Sequence, residues 1–271
     1  VHERSSLVVG NFDHNFTYLI GLMVLSMKVH MVLMDDSLKK NSSVREQGKM
    51  IAVKIAQAFK TGRWLRGYIQ GKLLADPIFD RTCEVIPKQG ASVTDLGCGL
   101  GLLGLWLQAH GHRVLYSGCD LGGWKIQEGR LAALRLGYEG ITLHECDMMQ
   151  FPLGNADVVC AFDVLHYLPN ELQEQLVCRL AEAARGGSLV LVRNGMRGCG
   201  WRSLVTLLEE WWTRCSGWIG GGEINFPERT SLVAAFERAG CSVKAQPLWG
   251  RTPFSSYLLQ VVSRSDTQAQ P

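Results

Sequence analysis

The sequence predicts an α/β fold: a doubly wound, mostly parallel seven-stranded sheet with helices on both faces and an antiparallel edge strand. Three observations point there. Apolar runs of strand length alternate with amphipathic runs of helical period across residues 92–239, the pattern of β-α-β units with right-handed crossovers. The first of these apolar runs empties into a glycine cluster, Gly97, Gly99 and Gly101. The last two apolar runs follow one another with no helix between them, which calls for antiparallel pairing.

Each element has its own warrant. Residues 51–71 carry apolar positions near i, i+3 and i+4 with basic residues between, and predict a helix that Pro77 breaks or restarts. Residues 92–96 form the first strand, and a helix-period run over 102–109 follows, ended by Gly111. Strands are expected over 112–118, 141–145 and 156–162, with a helix over 124–136. Asn170 opens an amphipathic helix with Leu172, Leu176 and Leu180 on one face and Gln173 in the capping-box position. Gly186 and Gly187 close it, and residues 188–193 make a buried strand. A helix over 230–239 and strands over 241–248 and 255–263 complete the chain.

Composition narrows the function. Hydrophobic residues at 46% against 20% charged exclude a mainly disordered chain. A net charge of +3 is too mild for the dense basic stripe of a nucleic-acid binder, so no nucleic-acid partner is expected. The nine cysteines are odd in number and include no C-x-x-C pair, which argues against both a disulfide framework and a zinc site. Free thiols fit a reducing compartment, and a cytoplasmic protein without a metal is expected.

The 271 residues divide into three parts. Residues 1–49 read as an extension and polar linker, and residues 50–264 as one catalytic domain. Within that domain lies an aromatic insertion at 195–226, and residues 265–271 form a disordered tail. The apolar stretch 17–34 is interrupted by Lys28 and His30, which is costly in a membrane span. The extension reads as dispensable for chemistry, with a peripheral membrane anchor as the alternative. The insertion holds Trp201, Trp211, Trp212 and Trp218 with leucines at helical spacing, which suggests a lid over an apolar or aromatic acceptor.

The glycine loop carries the chemistry. Its glycines let backbone approach a ligand closely, and the following helix offers free N–H groups. Gly99, Gly101 and Gly104 also spell the dinucleotide fingerprint. Asp95, two residues before the first glycine, opposes a pyrophosphate but suits a ligand carrying an ammonium group. Asp120 stands at the end of the second strand, where an acid accepts hydrogen bonds from ribose hydroxyls of either ligand. Asp147 and the run from Asp163 to Tyr167 have no place in the dinucleotide pattern.

The stretch VTDLGCGLGLLG at 93–104 resembles motif I of the class I S-adenosylmethionine-dependent methyltransferases. The pairs CD at 119–120 and 146–147 and the run DVLHYLP at 163–169 fall in that family's later motif positions. The resemblance covers about residues 60–263. RWLRGYIQGKLLADPIF and WGRTPFSSYLLQVVSR are similar to a bacterial small-molecule branch that accompanies polyketide-like or lipid-like pathways.

The resemblance implies S-adenosylmethionine as cofactor and a small-molecule acceptor. It places Asp95 at the methionine ammonium, with Gly97, Gly99 and Gly101 against the cofactor. Asp120 falls at the ribose, and Asp147 with Leu121 and Met148 at the adenine. His166 and Asp163 follow the fourth strand, whose end faces the methyl group, and are expected to be catalytic. His166 as a packed core histidine is the competing reading. Tyr68, Tyr167, Arg193 and Trp201 are the candidate acceptor residues, with an ordinary salt bridge as the alternative for Arg193. A nucleic-acid methyltransferase, an NAD-dependent oxidoreductase and a non-catalytic binding protein are the other readings.

Overall fold

A computed structural model describes residues 42–196, 225–249 and 255–267. Seven strands form one sheet in the order β3-β2-β1-β4-β5-β7-β6. They are β1 (Gln89–Leu96), β2 (Arg113–Asp120), β3 (Ile141–Glu145), β4 (Val158–Phe162), β5 (Leu189–Gly195), β6 (Cys241–Pro247) and β7 (Ser256–Ser263). The first five strands are parallel, with Asp95 level with Gly118 on one side and Cys160 on the other. β7 runs antiparallel to both β5 and β6. The reversed strand therefore lies one in from the edge, and β6 at the rim points the same way as the parallel set. Strand order turns outward in both directions from β1 and β4, so their carboxyl ends open the crevice in which such sheets bind ligands.

Helices cover the sheet on two sides. α1 (Ser42–Ala58), α2 (Arg63–Ala75), α3 (Ile78–Val85), α4 (Leu102–Ala109) and α5 (Gly123–Leu136) share one core with Trp106, Tyr116 and Leu143. α6 (Asn170–Arg185) and α7 (Arg229–Arg238) enclose the other, around Leu176, Leu180, Phe236 and Val192. β1 is buried over its last four residues because both layers press on it. That burial takes Thr94 and Asp95 out of water together with Val93 and Leu96, and fixes the point where the glycine loop begins.

Four local expectations change. The helix expected over 51–71 is two helices, α1 and α2, parted at Lys60 and Gly62. Ala52, Ile55 and Ala56 face inward on α1, and Leu65, Ile69 and Leu73 on α2. At about 100° per residue those stripes lie roughly 90° out of phase, so a continuous helix would leave one exposed. Arg135 Nη1 donates to the Ala58 carbonyl at 2.6 Å and closes α1. The polar linker expected up to residue 49 already belongs to α1 from Ser42. Its residues Arg45, Glu46, Gln47 and Lys49 are exposed, so this helix start needs no apolar face. The capping box at α6 does not form. Pro169 occupies the cap, and buried Gln173 donates to the carbonyls of Leu168 at 3.0 Å and Asn225 at 2.8 Å. The tail expected from residue 265 begins as a helical turn, Arg264–Thr267. The calls on residues 1–41, most of the insertion and Trp201 lie outside the described residues.

Two glycines should respond in opposite directions. A Cβ on Gly104 would stand 2.7 Å from the Tyr116 ring, whereas one on Gly71 would meet nothing within 4 Å. Thermal unfolding should show Gly104→Ala destabilised by about 1–3 kcal/mol through overpacking. Gly71→Ala, in an exposed helix interior, should gain about 0.5–1 kcal/mol. A neutral Gly104→Ala would contradict the packing of α4 on β2.

Candidate active site

The crevice begins with the loop from Gly97 to Gly101, whose three glycines all have positive φ, +71°, +56° and +69°. Side chains rarely adopt that conformation, and three such residues so close together turn the chain from β1 directly into α4. The turn is pinned to the end of β2. Cys98 N–H donates to the Cys119 carbonyl at 2.8 Å, and Gly99 N–H to Asp120 Oδ2 at 3.0 Å. Asp120 Oδ1 accepts from Gly122 N–H at 2.7 Å, and Lys125 Nζ lies 3.8 Å from it. Asp147 accepts the N–H of Met149 at 2.9 Å on one oxygen.

Asp95 is buried beneath this loop, 4% exposed, and accepts a short hydrogen bond from the Tyr116 hydroxyl. Burial pushes its carboxyl up to about 7; the Tyr116 bond opposes that push and the Asp120 charge adds to it. Burial, followed by the charge of Asp95, carries the Tyr116 phenol well above 10. Sequence reasoning missed Tyr116, whose alternating position in β2 reads only as core.

The ligand implied by the sequence resemblance fits these residues. A Cβ on Gly99 would meet nothing within 4 Å, so the loop presents bare backbone to open space there. Leu121, beside Asp120, is 75% exposed, an apolar surface free for a planar ring. Met148 packs half-buried against the α6 core. Charged groups at this end of β1–β3 include the three carboxylates of Asp95, Asp120 and Asp147, which suit an ammonium, ribose hydroxyls and an exocyclic amine and repel a diphosphate.

Past β4 the chain turns at Asp163, which has φ +55° and is the one non-glycine residue with positive φ among those described. Val164 follows, and its Cγ1 fills the space that a Cβ on Gly97 would need. A 3-10 turn, Leu165–Tyr167, then carries His166. This ring is buried, and its Nδ1 lies 2.9 Å from Asn194 Oδ1. Asn194 Nδ2 donates to the Gly195 carbonyl at 2.6 Å, which orients the amide with its oxygen toward the imidazole. Nδ1 therefore carries the proton and Nε2 the lone pair. Burial lowers the pKa of His166 below 6.5 against the pull of Asp163. Phe226 stacks on the ring at 5.0 Å between centroids, and Tyr167, 43% exposed, lies 4.0 Å away on the same measure.

Arg193, a candidate acceptor residue, is 4% exposed and ion-paired: its Nη1 lies 2.9 Å from Asp76 Oδ2 and also bonds Asp163. The salt-bridge reading of this residue is the one the geometry favours. Asp163, expected beside the reacting atoms, has its carboxylate in that pair. Burial opposes the charge of Asp76, yet Arg193 and Lys72 hold its carboxyl below the usual range. Burial also works against the Lys72 ammonium, but Tyr68, Asp76 and Asp163 outweigh it and raise its pKa. Tyr68 is 41% exposed and stacks on Trp64 at 6.0 Å, one turn from Lys72 on α2. Asp76 and Asn194 were not foreseen, since each acquires its role from a partner distant in sequence.

Comparison with known proteins agrees with this geometry. A family model described as a methyltransferase domain matches residues 66–246, while no curated protein matches the sequence. The magnesium protoporphyrin IX methyltransferase ChlM from Synechocystis PCC 6803, solved with bound SAH, superposes with a TM-score of 0.56 at 20% identity, over 81% of this chain and 98% of that one. The pyocyanin biosynthetic protein PhzM gives 0.56 at 18% identity, over 77% of this chain and 61% of the other. The mitomycin 7-O-methyltransferase MmcR gives 0.53 at 18%, over 77% and 60%. With the domain model covering two thirds of its length, the chain belongs to the class I S-adenosylmethionine-dependent methyltransferases.

Proposed function

We propose that this protein transfers a methyl group to a small apolar or aromatic molecule, polyketide- or lipid-like in character, with His166 as general base. One observation carries the reading: a buried imidazole whose tautomer Asn194 sets, on the loop that also packs against Gly97. Bound S-adenosylmethionine supplies a methyl already activated by its sulfonium. The chain's own task is then alignment, which is worth up to roughly 7–11 kcal/mol in favourable cases, and removal of a proton from a neutral acceptor.

Asp95 meets the donor ammonium, directly or through water, and Asp120 the ribose hydroxyls. Asp147, Leu121 and Met148 hold the adenine. On the acceptor side, His166 Nε2 takes the proton, and Tyr167 and Tyr68 line the approach. The Trp64–Tyr68 stack gives that approach an aromatic wall. Support for an apolar or aromatic acceptor also comes from the neighbours, named for magnesium protoporphyrin IX, pyocyanin biosynthesis and mitomycin. Free cysteines throughout the described residues suit work in a reducing cytoplasm. Among the described residues, no helix is long and apolar enough to cross a membrane.

Two measurements test these assignments. Asp95 has a folded pKa above its ordinary 3.8. The stability it contributes to the unliganded protein is therefore complete below that value and lost as the pH rises through about 7. A ligand ammonium favours the carboxylate instead. Calorimetry should show S-adenosylhomocysteine binding more tightly from about pH 5.5 to about pH 7.5, by at most about tenfold per unit, with the slope flattened in Asp95→Asn. A flat native profile would contradict the contact. For the base, the acceptor is first found by screening aromatic phenols and carboxylic acids with labelled S-adenosylmethionine. His166→Ala should then lower turnover by about 10²–10⁴-fold with S-adenosylhomocysteine affinity unchanged. The native rate should hold to lower pH than an ordinary imidazole base would allow, because burial lowers the pKa of the ring from 6.5. Undiminished turnover would remove His166 from the chemistry.

A further inference from the structure

The guanidinium of Arg193 joins two parts of the chain that lie far apart in sequence. Asp76 caps the carboxyl end of α2 and also accepts the N–H of Ile78 at 3.1 Å and the ammonium of Lys72 at 3.4 Å. Asp163 is the first residue after β4. One nitrogen of Arg193, Nη1, donates to both carboxylates. The carbonyl of Arg193 also accepts the N–H of Asp163 at 2.7 Å. Asp163 is thus gripped by backbone and side chain together, at the place where its φ is +55°, a conformation that L residues other than Asn and Asp rarely adopt. The twist at Asp163 sets the position of Val164, and Val164 presses on Gly97. A continuous line of contacts therefore runs from α2, which with α1 and α3 forms the N-terminal helical cap, to the donor loop.

We propose that Arg193 is a positioning residue that couples docking of the N-terminal cap to donor binding, holding Val164 against Gly97 through its joint grip on Asp76 and Asp163. Its side chain is 5% exposed, so it serves the site from behind rather than touching an acceptor. With the cap docked, the pair of carboxylates balances the buried guanidinium and Lys72. If α2 lifts, Asp76 leaves the pair, the charge balance is lost, and the twist at Asp163 slackens. The coupling is reciprocal: a ligand that fixes the donor loop fixes Val164 and Asp163, and so favours a docked α2. The inference rests on the donor-site assignment and is independent of the acceptor's identity.

Hydrogen exchange on the full chain, with and without S-adenosylhomocysteine, tests the coupling. In the native chain the ligand should slow exchange at residues 73–76 about tenfold. Asp76→Asn keeps the side-chain shape but removes the charge, and should lose most of that protection while still binding the ligand. No protection in the native chain, or equal protection in the variant, overturns the proposal. Calorimetry on two Asp163 variants separates the grip of Arg193 from the turn itself. Asp163→Gly accepts the left-handed turn but offers Arg193 no carboxylate, and should bind S-adenosylhomocysteine about tenfold more weakly than native, with Asp163→Ala, which also strains the turn, weaker still. Native affinity in Asp163→Gly would mean that the turn alone positions Val164 and would overturn the role of Arg193. A native chain that binds no S-adenosylhomocysteine would overturn the donor site and the coupling together; ligand binding without the exchange change overturns the coupling alone.

Discussion

Two hydrogen bonds decide where the donor loop lies, from Cys98 N–H to the Cys119 carbonyl and from Gly99 N–H to the Asp120 carboxylate. They tie the left-handed turn after β1 to the end of β2, and every other feature of the site is arranged around that knot. Asp120 is held rigidly because it serves the loop and the start of α5 at once. Asp95 is buried because the loop folds over it, and burial in turn raises its pKa. Val164 can reach Gly97 only because no Cβ stands there. The cost of three left-handed glycines within five residues is conformational. It is offset by a backbone surface that a ligand can approach closely.

Electrostatics then separates this site from a nucleotide-binding one of similar outline. Both use a glycine turn at the end of the first strand and an acid at the end of the second. Here a second carboxylate lies beneath the turn and a third follows β3, so this end of the sheet opposes a diphosphate and favours a cationic, amine-bearing nucleoside. On the far side of the crevice the charges are balanced among Lys72, Arg193, Asp76 and Asp163. That half therefore offers aromatic surface and an imidazole rather than net charge.

Much of this was legible in the sequence for a local reason. The glycine turn, Asp120, Asp147 and His166 each lie within a few residues of the strand end that positions them, so periodicity and spacing suffice to place them. The same alternation gives the mostly parallel sheet, but its strand order comes from the structure. What the sequence concealed depends on partners far along the chain. Arg193 reads equally as an anion binder or as half of a salt bridge until Asp76, 117 residues away, is found beside it. Asn194 reads as a polar strand end until His166 is seen facing its amide oxygen. The break between α1 and α2 is hidden because both halves have good helical periodicity, and only their differing phase, roughly 90° at 100° per residue, forces them apart. Gln173 matches a capping pattern but is drawn instead to the Asn225 carbonyl, a contact created by the return of the chain over His166.

The central claim is that a carboxylate-rich glycine turn selects a cationic sulfonium nucleoside over a dinucleotide. Isothermal titration of the full chain with S-adenosylhomocysteine, with NADH and with inorganic diphosphate tests it directly. The account predicts saturable binding of the first ligand, and no heat above dilution from the other two. Saturable binding of NADH or diphosphate, with none of S-adenosylhomocysteine, would contradict it.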